Sequence, residues 1–156
     1  MRRNNTACLR EAVIELILEV FRLNGRLLDA GDLLVRDIGL SSARWQVLGA
    51  VALSKVPLPV AHLARNMGLA RQSVQRVVDD MMNDGLVRYA PNPHHRRAKL
   101  VLFTDRGAVA YRAAMDRQAL WADELAAGLT PDAILSATNI LRRIQGRIDN
   151  DAGAET

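Results

Sequence analysis

The sequence is poor in the residues that build disulfide frameworks and aromatic-rich cores. Cys8 is the single cysteine among 156 residues, so no internal disulfide can form, and we expect a reducing compartment. Aromatic residues make up only 4% of the chain. The core must therefore be built from Leu, Val, Ile, Ala and Met, a composition that favours helices over a β-sandwich.

Long apolar runs are also missing. No uninterrupted apolar segment approaches the length that would span a membrane. The chain starts with basic and then apolar residues, as a secretion signal does. However, Glu11, Glu15 and Glu19 interrupt the apolar stretch, which a signal sequence does not tolerate. We expect a cytoplasmic protein with no membrane partner.

Patterns typical of enzymes are absent as well. The sequence contains no glycine-rich phosphate loop and no nucleophile elbow, and its three histidines are too few for the usual Ser–His or Cys–His sites. His94 and His95 are adjacent, so their side chains point apart, and no cysteine lies near them. We therefore expect no catalysis, no metal and no cofactor.

Positive charge, by contrast, is concentrated in one stretch. The chain carries a formal net charge of +4, and residues 60–99 contain seven Arg or Lys against three Asp, so this stretch alone accounts for the surplus. Its most basic part is PNPHHRRAKLVLF, residues 91–103, which includes Arg96, Arg97 and Lys99. Like charges so close together repel one another, which favours a negatively charged partner.

Hydrophobic periodicity predicts a long helix and a second helix before this stretch. Residues 9–30 have apolar side chains at helical spacing, and Gly31 and Gly39 are expected to interrupt the chain after them. LSSARWQVLGAVAL predicts the next helix, with Ser41 or Ser42 as its N-cap. The prolines of KVPLP end that helix.

The middle of the chain predicts two short helices and two strands. VAHLARNMG is a short helix closed by Gly68, and LARQSVQRVVDDMMNDG is a helix that ends at Gly85. LVRYA and KLVLF are strand candidates joined by the basic loop. The second of these helices has one apolar stripe that we expect in the core: Val74, Val77, Val78, Met81 and Met82.

Two further helices are predicted at the C-terminal end. Thr104 can cap a helix that ends near Gly128, and Thr130-Pro131-Asp132 is a good start for the last helix. The tail DNDAGAET is expected to fray. In the last helix a heptad-like seam suits packing against another helix: Ile134, Ala137, Leu141, Ile144 and Ile148.

The order of elements in residues 60–103, helix, turn, helix, strand, loop, strand, predicts a winged helix-turn-helix. The second helix of such a motif can enter the DNA major groove when the outward face of its N-terminal end is polar. Arg71, Gln72, Ser73, Gln75 and Arg76 occupy that end here. Gln can contact adenine through two hydrogen bonds, and Arg can contact guanine or a phosphate.

A basic hairpin tip beside this helix can reach the adjacent minor groove. Narrow A·T-rich grooves concentrate negative potential and attract Arg, so Arg96 and Arg97 are the candidates for that contact. Lys99 is the candidate for contact with the DNA backbone. A solvated loop without a DNA partner is the plainer alternative.

With these motifs the sequence resembles the MarR-type transcriptional regulators over most of its length. The most specific part is ARQSVQRVVDDMMNDGLVRYAPNPHHRRAKLVLFTDRG, and RWQVLGAV gives weaker support. The resemblance implies a mainly α fold with a small β-hairpin wing. It also implies one domain over 1–156, with a winged helix-turn-helix at 41–103 and dimerisation helices at 9–30 and 104–150.

The function implied by the resemblance is that of a homodimeric repressor that binds a pseudo-palindromic operator in double-stranded DNA. By position, Gln72, Ser73, Gln75 and Arg76 match the family's recognition helix, and Arg97 matches its wing arginine. One departure is that His95 stands where the family usually has an Asp that braces this arginine, and Asn92 replaces another common Asp. The wing is therefore expected to be more mobile or more positive.

The resemblance also implies an effector cleft, occupied in many members by a small aromatic anion that releases DNA. Trp45 matches the lining of that cleft, with Leu16, Val20 and Met115 as candidate neighbours. Val13 joins the C-terminal seam as a candidate for dimerisation. Other members respond to cysteine oxidation, so Cys8 is either an oxidant sensor or a semi-exposed residue without a role.

A module without DNA-binding activity is the alternative from another class. Winged helices also serve as dimerisation or protein-docking domains. Such a domain should expose an apolar patch where this chain has polar residues at the start of its recognition helix.

Overall fold

The computed structural model describes the backbone of residues 2–153 and the side chains of residues 6–150. The chain forms two compact units, one up to residue 118 and one from residue 119 onward. The first unit contains the buried core, which consists of Val35, Leu40, Val47, Leu48, Val60, Leu63, Ala64, Val74, Val78, Met81, Leu86, Val87, Val101 and Ala114. No helix in the described part of the chain is long and apolar enough to cross a membrane.

The first helix, α1, is longer at both ends than predicted and spans Arg2–Val35. Gly31, expected to interrupt the chain, lies inside this helix and is buried. A Cβ atom on Gly31 would lie 2.5 Å from Oγ of Ser42, at the start of the next helix. The expectation of a break was therefore wrong, because this glycine allows two helices to pack closely.

Helix α2 spans Ser42–Leu53 and begins with several polar contacts to its surroundings. Ser41 is the N-cap, and its hydroxyl accepts a hydrogen bond from the Arg44 amide at 3.3 Å. The Asp32 carboxylate of α1 accepts a hydrogen bond from the Ser42 amide at 2.6 Å. A carboxylate beside free amides at a helix N-terminus is stabilising, so α1 helps to define where α2 begins.

Two helices follow as predicted. Helix α3 spans Val60–Met67, and Gly68 ends it in the left-handed region at φ 65°. Helix α4 spans Arg71–Asn83. Most of its predicted apolar stripe lies in the core, since Val74, Val78 and Met81 are buried and Val77 is partly buried, whereas Met82 is 39% exposed.

The wing belongs to a three-stranded antiparallel sheet with the order β1-β3-β2. Strands β2 (Val87–Ala90) and β3 (Leu100–Phe103) were predicted, but β1 (Leu58–Pro59) was not. It pairs Leu58 with Val101 along the other edge of β3. In the sequence the prolines after α2 indicate only a helix break, although Pro is compatible with an edge strand.

The C-terminal helices begin at the predicted caps. Helix α5 spans Asp105–Ala126, and the hydroxyl of Thr104 accepts a hydrogen bond from the Gly107 amide at 3.0 Å. Helix α6 spans Pro131–Gly153, and the Thr130 hydroxyl accepts one from the Ala133 amide at 3.3 Å. The predicted frayed tail is helical as far as Gly153, and residues 154–156 lie outside the described residues.

Candidate nucleic-acid interface

The N-terminal end of α4 presents polar side chains to the solvent. Arg71, Gln72, Ser73 and Arg76 are exposed, while Gln75 is half-buried. No described side chain caps the first turn of α4, whose N-cap residue is Ala70. Free amides at a helix start and exposed cations both suit an anionic partner. An open groove of about 580 Å³ is lined here by Arg71, Gln72, Gln75 and Arg76.

The wing loop is held by the side chain of Asn92. Its amide nitrogen donates a hydrogen bond to the Ala98 carbonyl at 3.0 Å, and its amide oxygen accepts one from the His94 amide at 3.0 Å. The His95 carbonyl also accepts a hydrogen bond from the Ala98 amide at 3.1 Å. A neutral amide therefore braces the loop from within.

The basic side chains of this region have no acidic partner among the residues whose side chains are described. Ion pairs between described residues join Arg22 to Glu19, Arg44 to Asp84 and Arg117 to Asp37. None of these pairs includes any of the exposed cations of α4, β2 and the wing, which are Arg71, Arg76, Arg88, Arg96, Arg97 and Lys99. Their charges are thus available to phosphates.

The helix and the wing border a common cleft of about 220 Å³. Arg71 and Gln75 contribute to it from α4, and Arg97 and Lys99 contribute from the wing. The structure thus brings together predicted residues that lie more than twenty positions apart in the sequence. Arg96, His94 and His95 are exposed but do not line this cleft.

Sequence reasoning missed a polar network behind the recognition face. Nε2 of Gln75 donates hydrogen bonds to Oδ1 of Asp79 at 2.9 Å and to the Tyr89 hydroxyl at 2.8 Å. The Tyr89 hydroxyl in turn donates to Oδ1 of Asp79 at 2.8 Å. The four-residue spacing of Gln75 and Asp79 could have indicated their contact. The approach of Tyr89 from β2 could not be predicted, because it depends on how the strand packs against α4.

The Tyr89 ring has a second polar neighbour, the ammonium nitrogen of Lys99, which lies 5.8 Å from the ring centroid. Burial raises the pKa of Tyr89 to about 12, and the hydrogen bond to the Asp79 carboxylate adds to the rise. The hydrogen bond from Gln75 acts in the opposite direction. Tyr89 is therefore a neutral donor toward Asp79 throughout the physiological range.

Another cleft, of about 490 Å³, lies at the C-terminal end of α4. Two arginines contribute to it: Arg44 pairs with the Asp84 carboxylate at 2.6 Å, and Arg106 donates to the Asp84 carbonyl at 2.7 Å. Its remaining lining is mainly apolar and consists of Ile38, Gly39, Leu86, Asp105, Val109, Ala110 and Ala113. A site of this composition can accept a small molecule with an anionic group.

The residues predicted for an effector cleft lie elsewhere. None of Leu16, Val20, Trp45 and Met115 is among the described residues that line the 490 Å³ cleft. Trp45 packs against the core and lies 3.6 Å from the position of a Cβ on Gly31. Leu16 and Met115 are half-buried, and Val20 is 36% exposed.

The residues predicted for dimerisation are largely exposed. Ile134, Leu141 and Ile148 of α6 have exposed side chains, and Ile148 is 63% exposed. Val13 and Ile144 are half-buried, and Cys8 on α1 is exposed. Within the described part of the chain no group of His, Cys, Asp and Glu could hold a metal ion.

Comparisons with known proteins agree with this geometry. The MarR family model matches residues 38–98, from just before α2 into the wing loop. The uncharacterized protein Rv2011c of Mycobacterium tuberculosis is 33% identical over 134 residues, which cover 86% of this chain and 92% of that protein. The transcriptional activatory protein BadR of Rhodopseudomonas palustris is 30% identical over 99 residues, or 62% of this chain and 57% of BadR.

Solved structures show the same fold. The regulator MosR of M. tuberculosis, in complex with DNA, has a TM-score of 0.69 at 23% identity, covering 83% of this chain and 96% of MosR. The regulator PcaV of Streptomyces coelicolor, in complex with its natural ligand, has a TM-score of 0.66 at 25% identity, covering 80% of this chain and 89% of PcaV. The predicted winged-helix fold is thus confirmed, and the chain belongs to the MarR family of transcriptional regulators.

Proposed function

We propose that this regulator is a homodimeric repressor that binds a specific operator in double-stranded DNA. The observation that carries the proposal is the cleft shared by α4 and the wing. Arg71 and Gln75 line it on the helix side, Arg97 and Lys99 line it on the wing side, and the cations have no acidic partner among the described residues. MosR, which has the same fold, was crystallised with DNA.

In the proposed complex the two elements have different tasks. The outward side chains at the start of α4 contact base edges and phosphates in the major groove, and these are Arg71, Gln72, Ser73, Gln75 and Arg76. Arg96 and Arg97 enter the adjacent minor groove, and Lys99 contacts the backbone. Residues 41–103 act as the DNA-binding region of a domain that spans residues 1–156.

Exposed apolar side chains on α1 and α6 support the dimer. A soluble monomer rarely exposes a large contiguous apolar surface. On α1 the exposed residues include Leu9, Ile14, Ile17, Leu18, Phe21, Leu23 and Leu27, and on α6 they include Ile134, Leu135, Ile140, Leu141 and Ile148. We assign dimerisation to the helices in residues 9–30 and 104–150, including the half-buried Val13 and Ile144.

Two identical subunits require an operator with two matching half-sites. We expect a pseudo-palindrome with about 10 bp between the half-site centres, or about one DNA turn. The test is fluorescence anisotropy with DNA from the protein's own upstream region, across a salt series and against random duplex. We expect specific binding tighter by about 10³-fold or more and a steep fall of log K with log salt.

Equal and weak binding to both duplexes calls for selection from random DNA. If that selection also returns no preferred sequence, the repressor proposal is wrong, and the alternative of a protein-docking module is favoured. BadR is described as an activatory protein, so transcription in vitro from the selected site distinguishes repression from activation.

A small-molecule effector is the second part of the proposal. PcaV was crystallised with its natural ligand, and this chain has the 490 Å³ cleft with Arg44 and Arg106 beside apolar side chains. We propose that a small aromatic carboxylate or another organic anion releases the DNA. Two locations compete: this cleft, and the predicted group of Leu16, Val20, Trp45 and Met115.

The two locations are tested by release of operator DNA with benzoate and related aromatic acids. Arg106→Ala should abolish release if the cleft binds the effector, and Met115→Ala should do so if the predicted group binds it. Release that is unchanged in both variants would exclude both locations. If none of the acids tested releases the operator DNA, the effector part of the proposal is wrong.

A further inference from the structure

The side-chain amide of Gln75 has a defined orientation in this structure. Its nitrogen lies 2.9 Å from Oδ1 of Asp79 and 2.8 Å from the Tyr89 hydroxyl oxygen, and those two oxygens are 2.8 Å apart. A carboxylate only accepts hydrogen bonds, and the Tyr89 proton is already donated to it. Gln75 must therefore turn its NH₂ group inward, and its carbonyl oxygen points away from both partners.

The nearly equilateral arrangement leaves part of the amide unused. The two oxygens lie close together as seen from Nε2, whereas the two N–H bonds of an amide diverge widely. A single N–H bond that points between the two oxygens can serve both of them, which leaves the other N–H free. Gln75 thus offers one N–H donor and one carbonyl acceptor, and it lines the open groove at the start of α4.

This pair of groups matches one base. Adenine presents an acceptor, N7, beside a donor, the N6 amino group, in the major groove, whereas guanine presents two acceptors. An amide with a free N–H and a free carbonyl oxygen can bond to both adenine groups. A freely rotating Gln would first have to lose side-chain entropy, which weakens binding and discrimination.

We propose that Tyr89 and Asp79 are positioning residues that set the Gln75 amide for an adenine in each half-site. The proposal rests on the DNA binding proposed above and assigns a base and two further residues to it. Tyr89 lies on β2 and Asp79 lies one helical turn after Gln75 on α4, and both act through Gln75, so neither needs to touch DNA. The wing strand and the recognition helix together determine which base is preferred.

The negative charge of Asp79 does not oppose this role. Its carboxylate accepts hydrogen bonds from Gln75 and Tyr89 and is half-buried. Arg71, Arg97 and Lys99 line the same cleft as Asp79, so the local charge remains positive. A phosphate near the cleft therefore meets a surplus of cations.

The test starts with selection of the preferred operator from random duplex by the full-length wild-type protein. Each position of that operator is then replaced in turn, and binding is measured for wild type, Gln75→Ala, Tyr89→Phe and Tyr111→Phe. Wild type should prefer adenine at one position of each half-site by about 5- to 100-fold. Tyr89→Phe should reduce this preference at least about threefold, because the amide can then rotate, while the salt slope is unchanged.

Tyr111→Phe is the matched control, since it removes the same hydroxyl from a ring that packs 5.7 Å from Phe103, away from Gln75. It should retain the wild-type base preferences. The double variant Gln75→Ala/Tyr89→Phe should match Gln75→Ala alone, because Tyr89 acts through Gln75. Asp79→Ala serves as a second variant if Tyr89→Phe does not fold, and it should also weaken the adenine preference because it removes the acceptor for both Gln75 and Tyr89.

The outcomes separate this inference from the function on which it rests. If wild type selects no sequence, both proposals are wrong. If wild type selects an operator but Tyr89→Phe and Asp79→Ala keep every base preference, the inference is overturned and the DNA-binding function stands. A loss of affinity that is equal at all positions would likewise overturn it, because a purely structural role lowers binding without changing the base preference.

Discussion

Gly107 at the start of α5 lies against the backbone of Leu86 at the start of the wing. A Cβ atom at position 107 would lie 1.8 Å from the Leu86 carbonyl oxygen. The same carbonyl oxygen and that of Gly85 accept hydrogen bonds from the Thr104 hydroxyl, at 3.1 and 2.6 Å. A helix start and the turn after α4 are therefore in direct contact, with room for hydrogen only.

Gly107→Ala should destabilise the protein by about 1–3 kcal/mol, because the helix start and the wing base must move apart. Chemical denaturation measures the change. Gly49→Ala is the matched control, since a Cβ at Gly49 would meet nothing within 4 Å. In the interior of α2 it should instead stabilise by about 0.5–1 kcal/mol. Destabilisation of equal size in both variants would contradict the contact.

Arg97→Ala should weaken specific DNA binding by about 1–3 kcal/mol if the arginine contacts a base edge. The guanidinium has no ionic partner among the described side chains, so its removal should not affect folding. Anisotropy across a salt series measures affinity and slope together. Arg112→Ala removes an equal charge from an exposed site on α5 and should bind like wild type. Unchanged affinity for Arg97→Ala would place this residue outside the interface.

Asn92→Ala should loosen the wing tip without unfolding the protein. It removes two hydrogen bonds at the loop, to Ala98 and from His94, each worth about 0.5–1.5 kcal/mol. Asn92→Asp keeps the acceptor for the His94 amide and loses the donor to Ala98. Amide exchange by NMR should therefore show faster exchange of His94 in the alanine variant than in the aspartate variant. Equal exchange in both would argue against the Asn92–His94 hydrogen bond.

Ile148→Asp should convert the proposed dimer to a monomer with its helices intact. The side chain is 63% exposed within one chain, so a charge there costs little unless another subunit covers it. Analytical ultracentrifugation and circular dichroism measure the two properties. Arg143→Glu changes a charge on the opposite side of α6 and should remain dimeric. A dimer that survives Ile148→Asp would exclude this residue from the interface.

Tyr89 should give the protein a loss of stability at high pH that Tyr89→Phe lacks. Its pKa rises from 10.0 to about 12 on folding, so folding favours the protonated phenol. The stabilisation that the protonated phenol gives the folded state is fully present below pH 10 and is lost as the pH rises toward about 12. Chemical denaturation along this pH range measures the free energy of unfolding of wild type and variant. The contributions of all other titrating groups cancel in the difference between the two. A difference independent of pH would show that Tyr89 is not buried against Asp79.

The fold was largely predictable because its signals are local. The αL glycine after α3, the Thr104 and Thr130 caps and the apolar stripe of α4 each act within a few residues. Gly31 was misjudged because its role is to admit Ser42 of another helix. Strand β1 was missed because two residues have no periodicity, and its pairing with β3 is a tertiary contact.

The sequence predicted which polar and basic side chains of the candidate site face the solvent, but it did not predict the contacts that hold them. Helical spacing places Gln75 and Arg76 at the polar end of α4, and composition alone identifies the basic wing. The partners that hold those groups depend on packing between elements: Tyr89 reaches Gln75 from β2, and Asn92 spans the loop to Ala98. Helical periodicity and residue composition do not specify those distances.

The central place of β3 in the sheet has a mechanical consequence for the wing. Hydrogen bonding to β1 on one edge and β2 on the other holds both sides of the strand that follows the basic loop. The base of the loop is therefore held on both edges of β3, whereas in a two-stranded hairpin it would be held on one. The wing then loses less conformational entropy when it binds a polyanion, so more of the electrostatic attraction is retained as binding affinity.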